Sequence, residues 1–540
     1  MNKNEYYTLD ITDITDTGMG IGHADNMAVF VKGGAVGDTL SVKITKVQKN
    51  IAFAIIDKII TPSSHRIEPD CPSFPACGGC VFRNIDYPFE LSLKKKAVAD
   101  VMRRIGKVEK EPVDILFSTP DFYRNKAQYP VKENGVGFYA FHSHRTVDCS
   151  FCKIVPEIFT KAANEFSHFL EKNKISIYNE ETKTGLVRHF FLRAGAETGE
   201  VQAAVVINGD SMPKADALAE VLRGVFGESL KSVVLNINKK PNNVILGEKN
   251  KTVYGKDYIF DYLCGVKVRL SVNSFYQVNH TCAEMLYNKV KEYAKPEGKT
   301  VLDLYCGAGT IGLALSKEAK SVIGVEIVEK AVEDARFNAK ENGTENARFI
   351  CADAASAAKT LAYDKINADI VILDPPRKGC DKKLLFTVAN DFSPERIVYV
   401  SCDRGTLARD VKVLSDLGYK LVEYTVVDMF PRTAHVETVV LLSQQNPDDR
   451  IRVKVDLDEL DETSAEAKAT YKKITDWVQE HYGFHVMNLN IAQVKSKNGI
   501  IERDNYNKPK SEDSRQPGTT PEKEKAITEG TPFKTVSEVV

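Results

Sequence analysis

The chain has almost no net charge. Its 540 residues carry 73 Lys and Arg against 74 Asp and Glu, a formal charge of -1. That balance excludes a histone-like basic protein but leaves open a clustered basic patch, which is all that nucleic-acid binding requires. Long apolar runs are also missing. Nothing approaches the ~18 residues of a membrane span, and the opening MNKNEYYTLD has no signal-peptide core. The protein is expected to be cytoplasmic and monomeric, with no membrane partner. Wholesale disorder is excluded by 43% hydrophobic and 27% charged residues, and the length suggests roughly three or four domains. An even set of cysteines is lacking too. Eleven thiols in a reducing compartment argue against a disulfide framework.

Five of the eleven fall in two tight groups, Cys71-x5-Cys77-x2-Cys80 and Cys149-x2-Cys152. Pro72, Pro75, Gly78 and Gly79 force the first group, DCPSFPACGGC, into a loop able to wrap an ion or cluster. Metal ligation is the better reading. The x5 spacer is not a zinc-finger knuckle, and four thiolates without a nearby histidine also suit an iron–sulfur cluster. Either Cys149 or Cys152 supplies the fourth thiolate. Cys264, Cys282, Cys351 and Cys380 are dispersed, and dispersed cysteines are usually small buried hydrophobes.

The pattern predicts a multidomain α/β protein. Residues 1–60 alternate short strands with Gly-rich turns, as a small OB-like β-barrel does. Residues 61–270 form a mixed central domain that begins with the cysteine loop and a helix from about Phe89 to Gly106. Lys94, Lys95, Lys96, Arg103, Arg104, Lys107 and Lys110 give the segment 91–110 an excess of positive charge. That excess reads equally as a solvated helix face or as a footprint for RNA phosphates. Residues 271–444 alternate strand and helix, predicting a doubly wound, Rossmann-like domain with ligands at the carboxyl ends of its strands. An appended α/β segment, 445–503, carries Trp477, the single tryptophan, and a polar tail, 504–540, is expected to be disordered.

The chemistry-bearing motifs sit at those strand ends. Gly307-x-Gly309-x-x-Gly312 follows the strand TVLDLY and opens a helix, and Glu326 ends the next strand. This arrangement suits a dinucleotide or S-adenosylmethionine. Asp303 inside the first strand and the elbow Asp374-Pro375-Pro376-Arg377 after the fourth favour S-adenosylmethionine. Cys402 ends the fifth strand, with Arg404 close in sequence as a candidate partner for a thiolate. Glu437, in HVETV, begins the last strand. A thiolate and a carboxylate at one pocket fit methylation of a pyrimidine carbon, which is not nucleophilic until something adds to the ring.

These motifs (DCPSFPACGGC, SFYQVN, DLYCGAGTIG, VEIV, DPPRKG, VSCDRGTLARD and HVETV) resemble the RNA uracil-C5 methyltransferase family. The resemblance is to its iron–sulfur branch acting on 23S ribosomal RNA, and it spans residues 1–443. It implies an RNA-binding TRAM barrel at the N-terminus and a class I methyltransferase domain. It implies a [4Fe–4S] cluster on Cys71, Cys77, Cys80 and Cys152, with Cys149 as the competing fourth ligand. Gln277, Tyr305, Glu326, Asp353 and Asp374 align with cofactor-contacting positions, Cys402 with the nucleophile and Glu437 with the base. Phe275 and Gln128 are further pocket candidates, and the 85–114 segment packs on the catalytic domain in that family. The same chemistry on transfer RNA, or a non-catalytic RNA-binding protein on this fold, are the alternatives.

Overall fold

The computed structural model describes residues 1–444 apart from Asp16, Asn134 and His142, with isolated positions between 475 and 491. The expectations for 445–503 and 504–540, Trp477 included, lie outside the described residues.

Period-two burial builds the first domain. In the strand Thr39–Val47 the side chains of Leu40, Val42 and Ile44 point inward. They meet Leu9, Ile11, Val29, Val31, Ala52 and Ala54 in one core. The six-stranded sheet runs from Tyr6–Asp10 through Thr39–Val47, Ile51–Thr61, Met27–Lys32 and Gly20–Ala24 to Asp13–Ile14. Met27–Lys32 pairs in parallel with Ile51–Thr61 and the other ladders are antiparallel.

A seven-stranded sheet follows, in the order Thr146–Asp148, Gly135–Tyr139, Lys126–Lys132, Val187–Ala194, Val201–Ile207, Leu230–Ile237 and Lys249–Gly255. Its strands Val187–Ala194 and Val201–Ile207 are buried on both faces, so even their polar members Arg188, His189, Arg193 and Gln202 lie inside. The helices Glu157–Lys172 and Ala215–Phe226 pack on it through Phe159, Phe166, Leu218 and Leu222.

The third sheet is the doubly wound one. Its order is Ala347–Cys351, Ser321–Glu326, Thr300–Leu304, Ile370–Leu373, Arg396–Ser401, Glu437–Gln444, Tyr419–Val427 and Ile115–Leu116. Neighbours are parallel except Glu437–Gln444, which runs antiparallel to both its neighbours. The order reverses between Thr300–Leu304 and Ile370–Leu373, and that switch point opens a crevice at the carboxyl edge. The hairpin Tyr258–Leu263 and Val266–Ser271 shares a core with this sheet through Ile259, Leu263, Val268 and Leu270. The domain also contains the helix Ala354–Tyr363. Its alanines give little contrast between faces, and what starts it is the Asp353 carboxylate, which accepts the Ser356 amide at 3.0 Å.

The helix Tyr87–Arg104 starts two residues earlier than expected, where Asp86 caps the Phe89 amide at 2.9 Å and Pro88 occupies the first turn. Val98 and Met102 pack it against Leu407, Ala408 and Val411 of the helix Arg404–Asp416. One of its lysines is consumed inside the protein, and other cations form surface pairs. Lys94 is buried and donates to Glu90 and Asp428, both at 2.7 Å. Lys96 pairs with Asp100 at 2.8 Å, Arg103 pairs with Asp100 and Glu111, and Lys110 donates to the Val422 carbonyl at 2.6 Å. Breaking a buried pair of the Lys94 kind costs about 3–5 kcal/mol, so this lysine serves the fold. Lys96, Arg103, Arg104, Lys107 and Lys110 are exposed, so the segment keeps a solvated positive face beside its one buried lysine. Among the described residues no helix is long and apolar enough to cross a membrane.

Candidate active site

Strand register brings the two reactive side chains together. Arg396–Ser401 and Glu437–Gln444 pair antiparallel, with Ser401 opposite Thr438. One step further along the same ladder sets Cys402 beside Glu437 at the mouth of the sheet. Their proximity is felt electrostatically. Burial, then the Glu437 charge, raises the Cys402 thiol to about 11, while the Arg377 guanidinium pulls the other way. Glu437 is buried, and its carboxyl is pushed well up, first by burial and then by Asp374, again against Arg377. Arg377 is thus a cation acting on the Cys402 thiol. The sequence signal was available, since Arg377 belongs to the same elbow as Asp374. Thr406, on the helix that follows Cys402, donates to the Arg377 carbonyl at 3.1 Å and ties the two loops.

The thiol shift gives a direct prediction. A thiol alkylates as its thiolate, so Cys402 should react with iodoacetamide slowly at pH 8 and progressively faster towards pH 11. Glu437→Gln removes the charge that raises it and should speed the pH 8 reaction. Peptide mass mapping must separate it from Cys351. That thiol is exposed at the carboxyl end of the strand Ala347–Cys351, contrary to the expectation of packing. Cys282 and Cys380 are buried as expected, and Cys264 is half-buried.

Next to this pair the first βα turn forms a cradle. Gly307 and Gly309 both have left-handed φ, +53° and +77°, and a Cβ on Gly309 would stand 2.8 Å from the Phe349 ring. Around Gly307 there is open space. Glu326 accepts the Gly307 amide at 3.2 Å and the Val328 amide at 2.8 Å, which fixes its carboxylate at the rim. Asp303 is buried beneath. One of its oxygens accepts the Gly312 amide at 3.0 Å and the other has no partner. Burial, then the charge of Asp374, raises Asp303 to about 8, and burial raises Asp374 to about 7. Buried carboxyl groups that repel one another favour a cation in the crevice, which fits the sulfonium of S-adenosylmethionine.

The other expected cofactor positions distribute round this cradle. Tyr305 follows the strand with left-handed φ of 68° and is half-buried, its hydroxyl raised first by burial and then by Cys380. Asp353 commits one carboxylate oxygen to capping Ala354–Tyr363. Gln277 is buried, and its carbonyl accepts the Asn125 side chain at 2.9 Å. Its segment, SFYQVN, is held from the central sheet, where the buried Arg193 donates to the Ser274 carbonyl at 2.7 Å. So held, the loop leaves Phe275 72% exposed, whereas Tyr276 is buried with its hydroxyl on Asp261 at 3.0 Å. Phe275 thus protrudes from a braced loop, and Tyr276 is structural.

The cysteine loop lies elsewhere. Cys71, Cys77, Cys80, Cys149 and Cys152 line one cavity of about 760 Å³, together with Arg83, Arg124 and Lys126. Gln128 also lines it. Burial and then the neighbouring thiols Cys152 and Cys71 raise Cys77, and burial raises Cys80 to about 12. Cys149 differs: it is 3% exposed and its thiol donates to the Val136 carbonyl at 3.7 Å. Among the described residues no group of three or more His, Cys, Asp or Glu side chains is set to hold a metal ion.

The fold and the cradle define a methyltransferase of the class that uses S-adenosylmethionine. Residues 86–445 match the tRNA (Uracil-5-)-methyltransferase family and residues 2–56 the TRAM domain. An uncharacterized RNA methyltransferase of Clostridium tetani is 41% identical over 449 residues, covering 82% of this chain and 97% of the relative. Another, from Bacillus cereus, is 42% identical over 451 residues, covering 82% and 98%. A solved structure of the Pyrococcus abyssi tRNA (uracil-54, C5)-methyltransferase in complex with S-adenosyl-L-homocysteine superposes with a TM-score of 0.66 at 28% identity. It covers 81% of this chain and 100% of that one. The chain belongs to the tRNA (uracil-5-)-methyltransferase family: it is an S-adenosylmethionine-dependent RNA methyltransferase.

Proposed function

We propose that this protein methylates C5 of a uridine in 23S ribosomal RNA, with Cys402 as nucleophile and Glu437 as base. The observation that carries the reading is their juxtaposition across the ladder Ser401↔Thr438, beside the glycine cradle. C5 and C6 are unreachable in a stacked base, so the target is flipped out of its loop, and Phe275 offers it a stacking face. The Cys402 thiolate adds to C6, and the electrons displaced from the C5–C6 double bond make C5 nucleophilic. S-adenosylmethionine, when bound, supplies the methyl group that C5 takes. Glu437 then removes the C5 proton, the double bond re-forms and the C6–sulfur bond breaks, returning Cys402. Gln277, Tyr305, Glu326, Asp353 and Asp374 would contact the cofactor, Glu326 through its free lone pairs at the ribose.

Cys71, Cys77, Cys80 and Cys152 would hold a [4Fe–4S] cluster. The donor set fits in kind: thiols from two chain segments face one cavity, and four sulfurs clasping a cube need not converge on a single ion. Cys149 is the poorer candidate because its thiol is buried on Val136. When bound, the cluster supplies a cross-link between the 71–80 loop and the 149–152 turn, serving folding and RNA positioning, since polar methyl transfer moves no net electrons.

The TRAM barrel and the cysteine cavity favour ribosomal RNA. The alternative, transfer RNA, is favoured by the Pyrococcus abyssi relative, which is a tRNA enzyme. Mapping 5-methyluridine in both RNAs from cells lacking this protein tests the choice. Loss from 23S RNA alone is expected, and loss confined to transfer RNA would replace the reading.

A further inference from the structure

The nine-residue loop 428–436 delivers Glu437 from the strand Tyr419–Val427 to the strand Glu437–Gln444. It is longer than a tight hairpin turn and passes through an unfavourable conformation at Arg432, a non-glycine residue with φ of 67°. Such a conformation persists only when its surroundings over-determine it. Here the restraints come from outside the catalytic sheet. The Arg432 carbonyl accepts two amides, Val81 at 2.8 Å and Phe82 at 3.2 Å, from the residues directly after Cys80. Its own amide donates to Glu90 at 2.7 Å, and its guanidinium reaches the Ile85 carbonyl at 3.0 Å and Glu90 at 3.3 Å. The Tyr123 hydroxyl donates to the Pro431 carbonyl at 3.1 Å. The start of the loop is held likewise, because Asp428 accepts Lys94 at 2.7 Å and the Tyr87 hydroxyl at 2.8 Å. Glu90, Lys94 and Asp428 are all buried, so the charges have no water to exchange into.

We propose that Arg432 is a positioning residue for Glu437, clamping the base-bearing loop to the exit of the cysteine loop and to the helix Tyr87–Arg104. The clamp acts on proton removal, the step that needs Glu437, and not on addition of Cys402, which stands on a different strand. This rests on the assignment of Glu437 as the base. Arg432→Lys keeps a charge opposite Glu90 but cannot span Glu90 and the Ile85 carbonyl. In the full chain, with RNA and S-adenosylmethionine, this variant should form the covalent RNA adduct at the wild-type rate. Breakdown of the adduct should slow about tenfold, the scale expected of a small misplacement, so that kcat falls while KM for RNA moves less than about twofold. A purely structural role would slow formation and breakdown alike. Tyr123→Phe, which loses one bond to the loop, should show the same signature more weakly, and it decides the matter if Arg432→Lys fails to fold. Wild-type breakdown in the folded variants, beside adduct accumulation in Glu437→Gln, overturns the clamp. Failure of Glu437→Gln to accumulate adduct overturns the base assignment, and the clamp with it.

Discussion

Cys402→Ala should abolish methyl transfer and leave no RNA bound through denaturing electrophoresis. Removing a nucleophile that acts with its partner as a unit costs about four to six orders of magnitude in kcat. The charged groups acting on the Cys402 thiol are the carboxyls Glu437 and Asp374 and the guanidinium Arg377. Glu437→Gln should give the opposite gel. Addition and methyl transfer still proceed, the C5 proton stays, and the covalent adduct accumulates while turnover falls about 10²–10⁴-fold, the range for loss of a general base. The pair of outcomes separates the two roles. Normal turnover by Cys402→Ala would falsify the nucleophile assignment, and a Glu437→Gln chain that released methylated RNA at the ordinary rate would remove the base.

The second large effect concerns the cysteine loop. Anaerobically purified protein should carry about four irons per chain with matching sulfide. Serine at Cys71, Cys77, Cys80 or Cys152 should each strip most of that iron and lower the melting temperature, because a group bound by the folded state alone stabilises it. Cys149→Ser should keep the iron, since its thiol already donates to the Val136 carbonyl in the core of the central sheet. Iron lost with Cys149→Ser and retained with Cys152→Ser would exchange the two ligands, and one zinc per chain would replace the cluster by an ion. The raised thiols add a sign to the experiment. Metal must displace protons from Cys77 and Cys80, so uptake should weaken as pH falls.

What could be read from the sequence was what depends on local order. The strand TVLDL, the glycines after it and Glu326 at the end of the next strand form a short-range grammar, and the structure repeats it. So did the polar elbow at Asp374 and the cysteine at the fifth strand end. What could not be read depends on partners remote in the chain. Lys94 looks like part of a free positive face because nothing near it reveals Asp428, more than three hundred residues away. The sequence near Cys402 offers Arg404 as a cation, but the effect of Arg377 comes from an elbow twenty-five residues earlier. Ala354–Tyr363 carries a weak signal for a different reason, since alanine is apolar enough for a core and small enough to show no stripe.

The strand that carries Glu437 is made last among those of its sheet but is not placed last. Glu437–Gln444 inserts between Arg396–Ser401 and Tyr419–Val427, both synthesised before it. Before Glu437–Gln444 is inserted, the strands on either side of it leave an open seam of unpaired amides and carbonyls. Closing that seam satisfies the backbone and completes the reactive pair in one event. The proposed base therefore takes its place only through the last-made strand of the sheet, whereas the proposed nucleophile follows an earlier one.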